Sequence, residues 1–279
     1  MRLARFFRTP KGIAIIALAI LAVPAALGSG VGLVAPLVVG ATVASMAIDA
    51  PILRIRNREW TFPDGALLTG LFVAMILSPH ESWWVGALTG AVAIVSKYAL
   101  RVRNANLFNP AALALVVTFY AFGTGQSWWG ALPELPPAAL VLLFATGIYV
   151  SRRLNKMAAV LSFLGCYYGL ITVTAFVGNP AGVAELYRAP DLHAALFFAF
   201  FMVTDPPTSP PKARDQVTFG AITALASLVA FEALGAVYYL LAGVLAANLW
   251  EGWRKWRLGR RRGKAEPSAS LRMTTKAPS

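Results

Sequence analysis

The chain has 279 residues, of which 58% are hydrophobic and only 13% are charged. A water-soluble domain needs far more polar side chains to cover its surface, so this composition excludes an ordinary soluble protein and predicts an integral membrane protein. The formal net charge is +13, which would point to a nucleic-acid partner only if the basic residues formed one patch. Their spread along the chain indicates membrane orientation instead.

Ten apolar segments, separated by polar residues or by proline and glycine, are candidates for membrane-spanning helices. They cover residues 12–28, 31–50, 64–78, 83–100, 109–122, 137–150, 157–177, 191–204, 216–231 and 233–252. A helix needs about 20 residues to cross the hydrocarbon core. The third, fifth, sixth and eighth segments are shorter, so we expect broken or re-entrant helices there, surrounded by protein or a water-filled cavity.

The basic residues orient these segments in the membrane. If the N-terminus lies in the cytoplasm and the segments alternate, every Lys and Arg except Arg188 falls on the cytoplasmic side, as the positive-inside rule requires. The eight Trp residues then lie at predicted membrane boundaries, where indole rings are favoured. The sequence therefore predicts a multi-pass protein of the inner (plasma) membrane with both termini in the cytoplasm.

The chain divides into a cytoplasmic N-terminus (1–11), one all-α membrane domain (12–252) and a basic cytoplasmic tail (253–279). Residues 1–28 also resemble a secretory signal, which makes cleavage of the first segment the alternative. From Gly259 onward the tail is polar and basic with no apolar period, which predicts a disordered segment near anionic lipid.

The ten segments divide into two sets of five, at about residues 12–122 and 137–252. Because five is an odd number, the second set starts from the opposite side of the membrane, as in an inverted repeat. The third segment of each set ends in a proline motif, at Pro79 and at Pro206. Proline also follows many ordinary helix ends, so the match alone leaves both interpretations open.

Polar stretches interrupt the apolar pattern at several helix ends. Asn109 followed by Pro110 is typical of an N-cap and first helical residue, which either exposes free N–H groups to an anion or simply caps the helix. The run 205–211 contains four prolines, which fix a rigid turn beside the oxygens of Asp205, Thr208 and Ser209. This turn is suited either to holding a ligand or to a structural role.

Few other residues suggest chemistry. Asp49 and Glu232 are the carboxylates predicted within the lipid zone, where they are either functional or interfacial. The only histidines, His80 and His193, are both predicted on the outer side, which argues against a bis-His haem in one helix bundle. No metal-ligand spacing, Walker loop or dinucleotide-binding glycine motif is present. Cys166 is alone, so it forms neither a disulfide framework nor a thiolate metal site.

The polar motifs resemble those of the RnfD/NqrB family, membrane subunits of ion-pumping flavoprotein electron-transport complexes. The matching motifs, in family order, are DGALLTG at 64–70, Ser78-Pro79 followed by Trp83-Trp84, Ser96-Lys97 with NLFNPA at 106–111, and FMVTDP at 201–206. The similarity covers about residues 60–250. A shorter variant of the family, found near enediyne biosynthesis genes, is similar in the TDPPTSPP stretch as well.

The resemblance implies two five-helix inverted repeats enclosing a flavin, with electron transfer across the membrane coupled to movement of Na⁺ or H⁺. It also implies partner subunits that are flavoproteins or iron–sulfur proteins. Family members with covalent FMN carry it on the last threonine of a Ser/Thr-Gly-Ala-Thr motif, which this sequence lacks. We therefore expect FMN or riboflavin bound noncovalently and no covalent FMN.

The predicted site lies at the cytoplasmic ends of the motif-bearing helices. The flavin phosphate or ribityl group is expected near a helix start and the ring against an aromatic side chain such as Phe108. The predicted cofactor-binding residues are Asp64, Gly65, Lys97, Asn106, Phe108, Asn109, Thr204, Asp205, Thr208 and Ser209. A channel or transporter and a non-redox assembly subunit are the alternative functions.

Overall fold

A computed structural model describes residues 9–102, 105–177 and 184–273, with side chains up to residue 258. Part of the predicted cytoplasmic charge, namely Arg2, Arg5, Arg8 and Arg103, lies outside the described residues. The same holds for residues 274–279 of the predicted tail and for its side chains from Gly259 onward.

The described residues form ten helices. They are α1 (Pro10–Ser29), α2 (Val31–Asn57), α3 (Asp64–Ile76), α4 (Trp83–Ala99), α5 (Pro110–Phe122), α6 (Ala139–Arg153), α7 (Met157–Val177), α8 (Asp191–Phe197), α9 (Ala213–Leu234) and α10 (Tyr239–Met273). Helix α8 continues into a π-helical turn over Phe198–Met202. Two short antiparallel strands, β1 (Arg101–Val102) and β2 (Ala105–Asn106), connect α4 to α5.

Each helix corresponds to one apolar segment of the sequence, which confirms the all-α membrane class. Helices α1, α2, α7 and α9 are long and apolar enough to cross a membrane. Helices α3, α5, α6 and α8 have 13, 13, 15 and 7 residues. At 1.5 Å per residue a helix of that length covers about 20 Å or less, against a hydrocarbon core of about 30 Å. The four helices expected to be short are therefore short.

Helix α10 extends further than the sequence pattern predicted. The apolar segment ends at residue 252, whereas the backbone is helical to Met273; the disorder expected from Gly259 onward stays a prediction. Glu251 pairs with Arg254 at 2.6 Å and with Lys255 at 3.6 Å, a spacing that stabilises a helix. Arg, Lys, Leu and Ala are also strong helix formers. Loss of apolar character marks the edge of the membrane here and not the end of the helix.

The two most extensive helix interfaces join α2 to α4 and α7 to α9. Both depend on glycine: a Cβ at Gly90 would lie 2.6 Å from the Ala41 carbonyl oxygen, and a Cβ at Gly220 would lie 2.6 Å from that of Ala159. Close approach of backbones is how helices associate in lipid, where apolar burial gives little driving force. The paired helices are the second and fourth of each predicted half, so the two halves share this interface; the inverted orientation of the halves stays a prediction.

The helix ends that carry Arg54, Lys97, Arg152 and Arg254 form one end of the bundle, which we call the basic end. The far end is closed by backbone hydrogen bonds from Ser78 to Gly125 at 2.9 Å and from Ser127 to Ile76 at 3.0 Å. His193, buried there, donates through Nδ1 to the carbonyl of Ala131 at 2.9 Å. These contacts give His193 a structural role.

The packing predicts different effects for two glycines of the same helix pair. Gly220→Ala should lower the melting temperature, because forcing an extra carbon into a tight helix contact costs roughly 1–3 kcal/mol. Gly165→Ala on α7, where a Cβ would meet nothing within 4 Å, should leave stability unchanged or slightly raised. Thermal unfolding in detergent, followed by size-exclusion chromatography, measures both. Equal melting temperatures would contradict the interface.

Candidate functional site

A cavity of about 710 Å³ opens at the basic end, a volume within the usual range for cofactor pockets. Its wall is built from the starts of α1, α3 and α5, the ends of α4 and α6, strand β2 and the segment after α8. The lining residues are Thr9, Pro10, Lys11, Ala14, Asp64, Gly65, Leu68, Thr69, Phe72, Lys97, Ala105, Asn106, Asn109, Pro110, Ala111, Val150, Leu154, Phe201, Thr204, Asp205, Pro206 and Pro207.

Three helices begin at the cavity wall. The Thr9 hydroxyl caps α1 by accepting from the Gly12 N–H at 3.0 Å, and the Asn109 side chain caps α5 by accepting from the Ala112 N–H at 3.1 Å. Each cap is followed by proline, whose missing N–H is no loss at a first helical position. Together with the start of α3 at Asp64, these helix starts direct positive partial charge into one space.

Two lysines border the same part of the wall. A Cβ at Gly65 would lie 3.4 Å from Lys11 Nζ and 3.6 Å from Lys97 Nζ, so only the lack of a side chain at this position leaves the space between the two ammonium groups open. Lys11 donates to Asp64 Oδ1 at 2.8 Å and Lys97 donates to Asp49 Oδ1 at 2.8 Å. Each ammonium group is thus neutralised by one carboxylate.

The two ion pairs differ in burial. The side chains of Lys11 and Asp64 are 53% and 25% exposed, whereas those of Lys97 and Asp49 are 21% and 1% exposed. Water screens the first pair, so it contributes little to stability. The second pair lies in a low-dielectric region where an uncompensated charge is costly.

The proline-rich turn after α8 closes one side of the cavity around Asp205. Thr208 donates its hydroxyl to Asp205 Oδ2 at 2.7 Å, and Ser209 donates to the Asp205 carbonyl at 2.7 Å. Burial raises the pKa of the Asp205 carboxyl above its usual value, while the Thr208 hydrogen bond and the Lys156 charge oppose that shift. The turn therefore presents a carboxyl that keeps its proton to higher pH than an exposed aspartate.

Lys156 fixes the turn from behind. Its ammonium group donates to the carbonyls of Ser209 at 3.2 Å and Pro210 at 2.7 Å, and its side chain is buried. Burial lowers the pKa of Lys156 to about 8, partly opposed by the charges of Asp205 and Glu251. The lysine thus holds two carbonyls that the prolines leave without helical partners.

Asn248 joins the turn to the start of α5, across the two halves of the chain. Its Oδ1 accepts from the Asn109 N–H at 2.8 Å, and its Nδ2 donates to the Thr208 carbonyl at 3.3 Å. The side chain is completely buried. Asn248 was not among the predicted site residues, because one amide inside an apolar helix gives no signal of a partner far along the chain.

Seven of the ten predicted site residues share the cavity wall. They are Asp64, Gly65, Lys97, Asn106, Asn109, Thr204 and Asp205. Thr208 and Ser209 are buried behind the wall, where they bond to Asp205. Phe108 is half-buried in the segment before α5 and is not part of the cavity wall; its predicted contact with a flavin ring stays a prediction.

Two aromatic residues and one lysine that line the cavity were not among the predicted site residues. Phe72 and Phe201 supply the aromatic surface and Lys11 supplies a second ammonium group. A signal for Lys11 was present, since Thr9-Pro10 repeats the pattern of cap and proline seen at Asn109-Pro110. In the sequence, Lys11 was used only to predict membrane orientation.

Comparison with known proteins gives a match to one family model over part of the chain. Residues 7–135 match the model of the NQR2, RnfD, RnfE family, a range that includes the cavity residues of α1, α3, α4 and α5. This match and the relatives below confirm the resemblance to the RnfD/NqrB family that the motifs indicated. The turn after α8 lies outside the range of the family model.

Several relatives are named as subunits of an ion-translocating oxidoreductase complex. The one from Psychromonas ingrahamii is 33% identical over 165 residues, which is 56% of this chain and 47% of the relative. The one from Klebsiella pneumoniae is 36% identical over 112 residues, or 39% of this chain and 31% of the relative. In both cases the matched region is less than half the length of the relative.

The role of Asn248 can be tested by measuring the thermal stability of a variant. Asn248→Ala leaves the Asn109 N–H and the Thr208 carbonyl buried without these partners, and each such loss costs about 1–3 kcal/mol. We expect a clear drop in melting temperature. Asn57→Ala is the control, because Asn57 is exposed at the same end and, within the described part of the chain, its side chain donates to the Thr61 hydroxyl at 3.3 Å. Similar melting temperatures for the two variants would show that Asn248 does not join the halves.

Proposed function

We propose that this chain is the membrane subunit of an ion-translocating electron-transport system and that it holds FMN or riboflavin noncovalently in the cavity at the basic end. Two observations support the proposal. The relatives are named as subunits of an ion-translocating oxidoreductase complex, and the cavity combines a rim of lysines and helix starts with an apolar interior.

The rim suits the anionic or hydroxyl-rich part of a flavin. Helix starts favour negative charge because their first N–H groups have no intrahelical acceptor. Lys11 and Lys97 add two ammonium groups on either side of Gly65. Because each is already paired with a carboxylate, the empty rim is close to neutral. An arriving anion shares these lysines without requiring two unpaired charges beforehand.

The interior suits the flat ring. Leu68, Phe72, Val150, Leu154 and Phe201 form the apolar wall, and aromatic rings pack well against another planar ring. Phe72 is held in place by edge-on contact with Phe197, at 6.3 Å between ring centroids. The wall therefore excludes water from one face while Asn106 and Thr204 offer polar atoms at its border.

A bound flavin would supply one- and two-electron redox chemistry. Around it, Lys11 and Lys97 balance negative charge at the cavity wall, and Asp205 supplies a carboxyl whose pKa burial raises above its usual value. Thr208 and Lys156 keep that carboxyl and its turn in position. With the basic residues on the cytoplasmic side, the cavity faces the cytoplasm, where flavoprotein or iron–sulfur partner subunits would exchange electrons with it.

The cofactor can be identified in the purified protein. Protein from flavin-replete cells should absorb near the usual flavin bands, and acid should release FMN or riboflavin at about one per chain. A flavin that stays with the acid precipitate would mean covalent attachment. Protein without flavin that also fails to bind either compound on addition would contradict the proposal and favour the assembly or transport alternative.

Lys11 should matter for binding. Lys11→Met removes one charge from the rim, and a charge-assisted hydrogen bond contributes about 1.5–3 kcal/mol, so FMN affinity should fall by roughly tenfold or more. Lys212→Met is the matched control, since Lys212 is exposed at the basic end and is not part of the cavity wall. Quenching of flavin fluorescence during titration measures both. Equal affinities would remove Lys11 from the site.

A further inference from the structure

Asp49 is a buried carboxylate with one oxygen unused. Of the two carboxylates predicted in the lipid zone, Glu232 is exposed, whereas Asp49 is 1% exposed. Its Oδ1 accepts from Lys97 Nζ at 2.8 Å and from the Tyr98 hydroxyl at 2.6 Å. Its Oδ2 is buried and has no hydrogen-bond partner among the described residues.

Ser45 lies one turn before Asp49 on the same face of α2. Its side chain is fully buried, and its Oγ likewise lacks a hydrogen-bond partner in the described part of the chain. Side chains at i and i+4 of a helix are neighbours, about 5–6 Å apart at Cβ. Because buried polar groups in proteins are nearly always partnered, two free oxygens on one buried face indicate a site for a shared partner.

We propose that Asp49 Oδ2 and Ser45 Oγ form a binding site for a monovalent cation, Na⁺ or H⁺, within the membrane, and that Lys97 controls its occupancy. The control by Lys97 rests on the proposed function, because it requires an anion in the cavity. The cation site itself rests on the geometry of α2 and α4.

Lys97 lies at both the cavity wall and the proposed cation site. Its ammonium group contacts Asp49 and lies 3.6 Å from the Cβ position of Gly65 on the cavity wall. While it neutralises Asp49, a second cation is repelled. Negative charge in the cavity draws the ammonium group toward it, which leaves the Asp49 carboxylate buried and unpaired, a state of high energy. Uptake of one monovalent cation at Asp49 then restores neutrality, so charge is balanced one for one.

Among the described residues, Lys97 is the charged group that contacts Asp49 directly. Tyr98 is a neutral donor from the same helix α4, and Arg56 and Arg101 act on Tyr98 through their charge. Helix α3 meets α2 at Gly70, whose Cβ would lie 2.7 Å from Thr42 Cα. Toward the basic end α3 carries Asp64, which is paired with Lys11 near Lys97. Gly90 closes the site beyond Ser45, with a Cβ position 2.6 Å from Ser45 Oγ. A cation therefore enters from the basic end.

The site can be opened by mutation, without a flavin. In flavin-free nanodiscs, Lys97→Met leaves Asp49 without its ammonium partner. Added Na⁺, compared with choline at equal ionic strength, should then raise the melting temperature and produce saturable ²²Na⁺ binding. If the cation is H⁺, Na⁺ has no effect and lowering the pH raises the melting temperature instead. The double variant K97M/D49N should show neither effect.

Two further variants make the result specific. Ser45→Ala in the K97M background should weaken Na⁺ binding by about tenfold or more, since mutating even the groups that support the ligands of a metal typically costs 10–100-fold in affinity. Lys11→Met breaks the exposed pair with Asp64 and should create no cation dependence. If K97M is poorly folded, Lys97→Gln serves instead, because it removes the charge and keeps a donor. Absence of both Na⁺ and H⁺ dependence in the Lys97 variants overturns the site.

The control by Lys97 has its own measurement. In wild-type protein loaded with flavin, reduction by dithionite should make ²²Na⁺ binding appear, or proton uptake beyond that of the flavin-loaded Asp49→Asn variant, because the flavin ring takes up protons itself on reduction; reoxidation should reverse the effect. Binding in K97M without any change on reduction of the loaded wild type overturns the control and leaves the site standing. Failure of the wild type to bind flavin overturns the proposed function, and the result in K97M still decides the cation site.

Discussion

The structure depends on one constraint: inside lipid, every backbone N–H and C=O must find a partner within the protein, so a helix that stops short of the interface must end against protein or a polar cavity. Helices α3 and α5 have 13 residues each, and α8 with its π-helical turn ends at Met202. Their ends meet around the cavity at the basic end. The far end is closed by hydrogen bonds between Ser78 and Gly125.

The polar chemistry of the site follows from that constraint. Three helix starts concentrate positive partial charge, and the lysines that border them are paired so that the rim carries no large net charge. The proline-rich turn leaves carbonyls that cannot join a helix, and Lys156 and Asn248 satisfy them. Asp49 and Asp64 look equivalent as lysine partners, but their burial differs. That difference makes the buried Asp49 a candidate for ion coupling, whereas Asp64 belongs to a surface ion pair.

Much of this arrangement could be predicted from the sequence because lipid imposes a strong pattern. Apolar runs located all ten helices of the described chain, and the motif at Asn109-Pro110 located the capped start of α5. Contacts between distant segments could not be predicted. Nothing near Asn248 indicates its bond to Asn109, and the choice of Phe72 and Phe201 over Phe108 is set by how three helices pack. The helical run to Met273 was missed because hydropathy reports the membrane and not helix propensity.

A flavin held without a covalent bond in the cavity at the basic end is the feature on which the proposed electron transfer depends. A cryo-electron microscopy map of the purified protein, bound to its own or to added flavin, shows where the cofactor lies. We expect ring-shaped density between Phe72 and Phe201, with its polar end beside Lys11 and Gly65 and no link to any side chain. Flavin density at the far end, or a covalent link to a threonine, would contradict this placement.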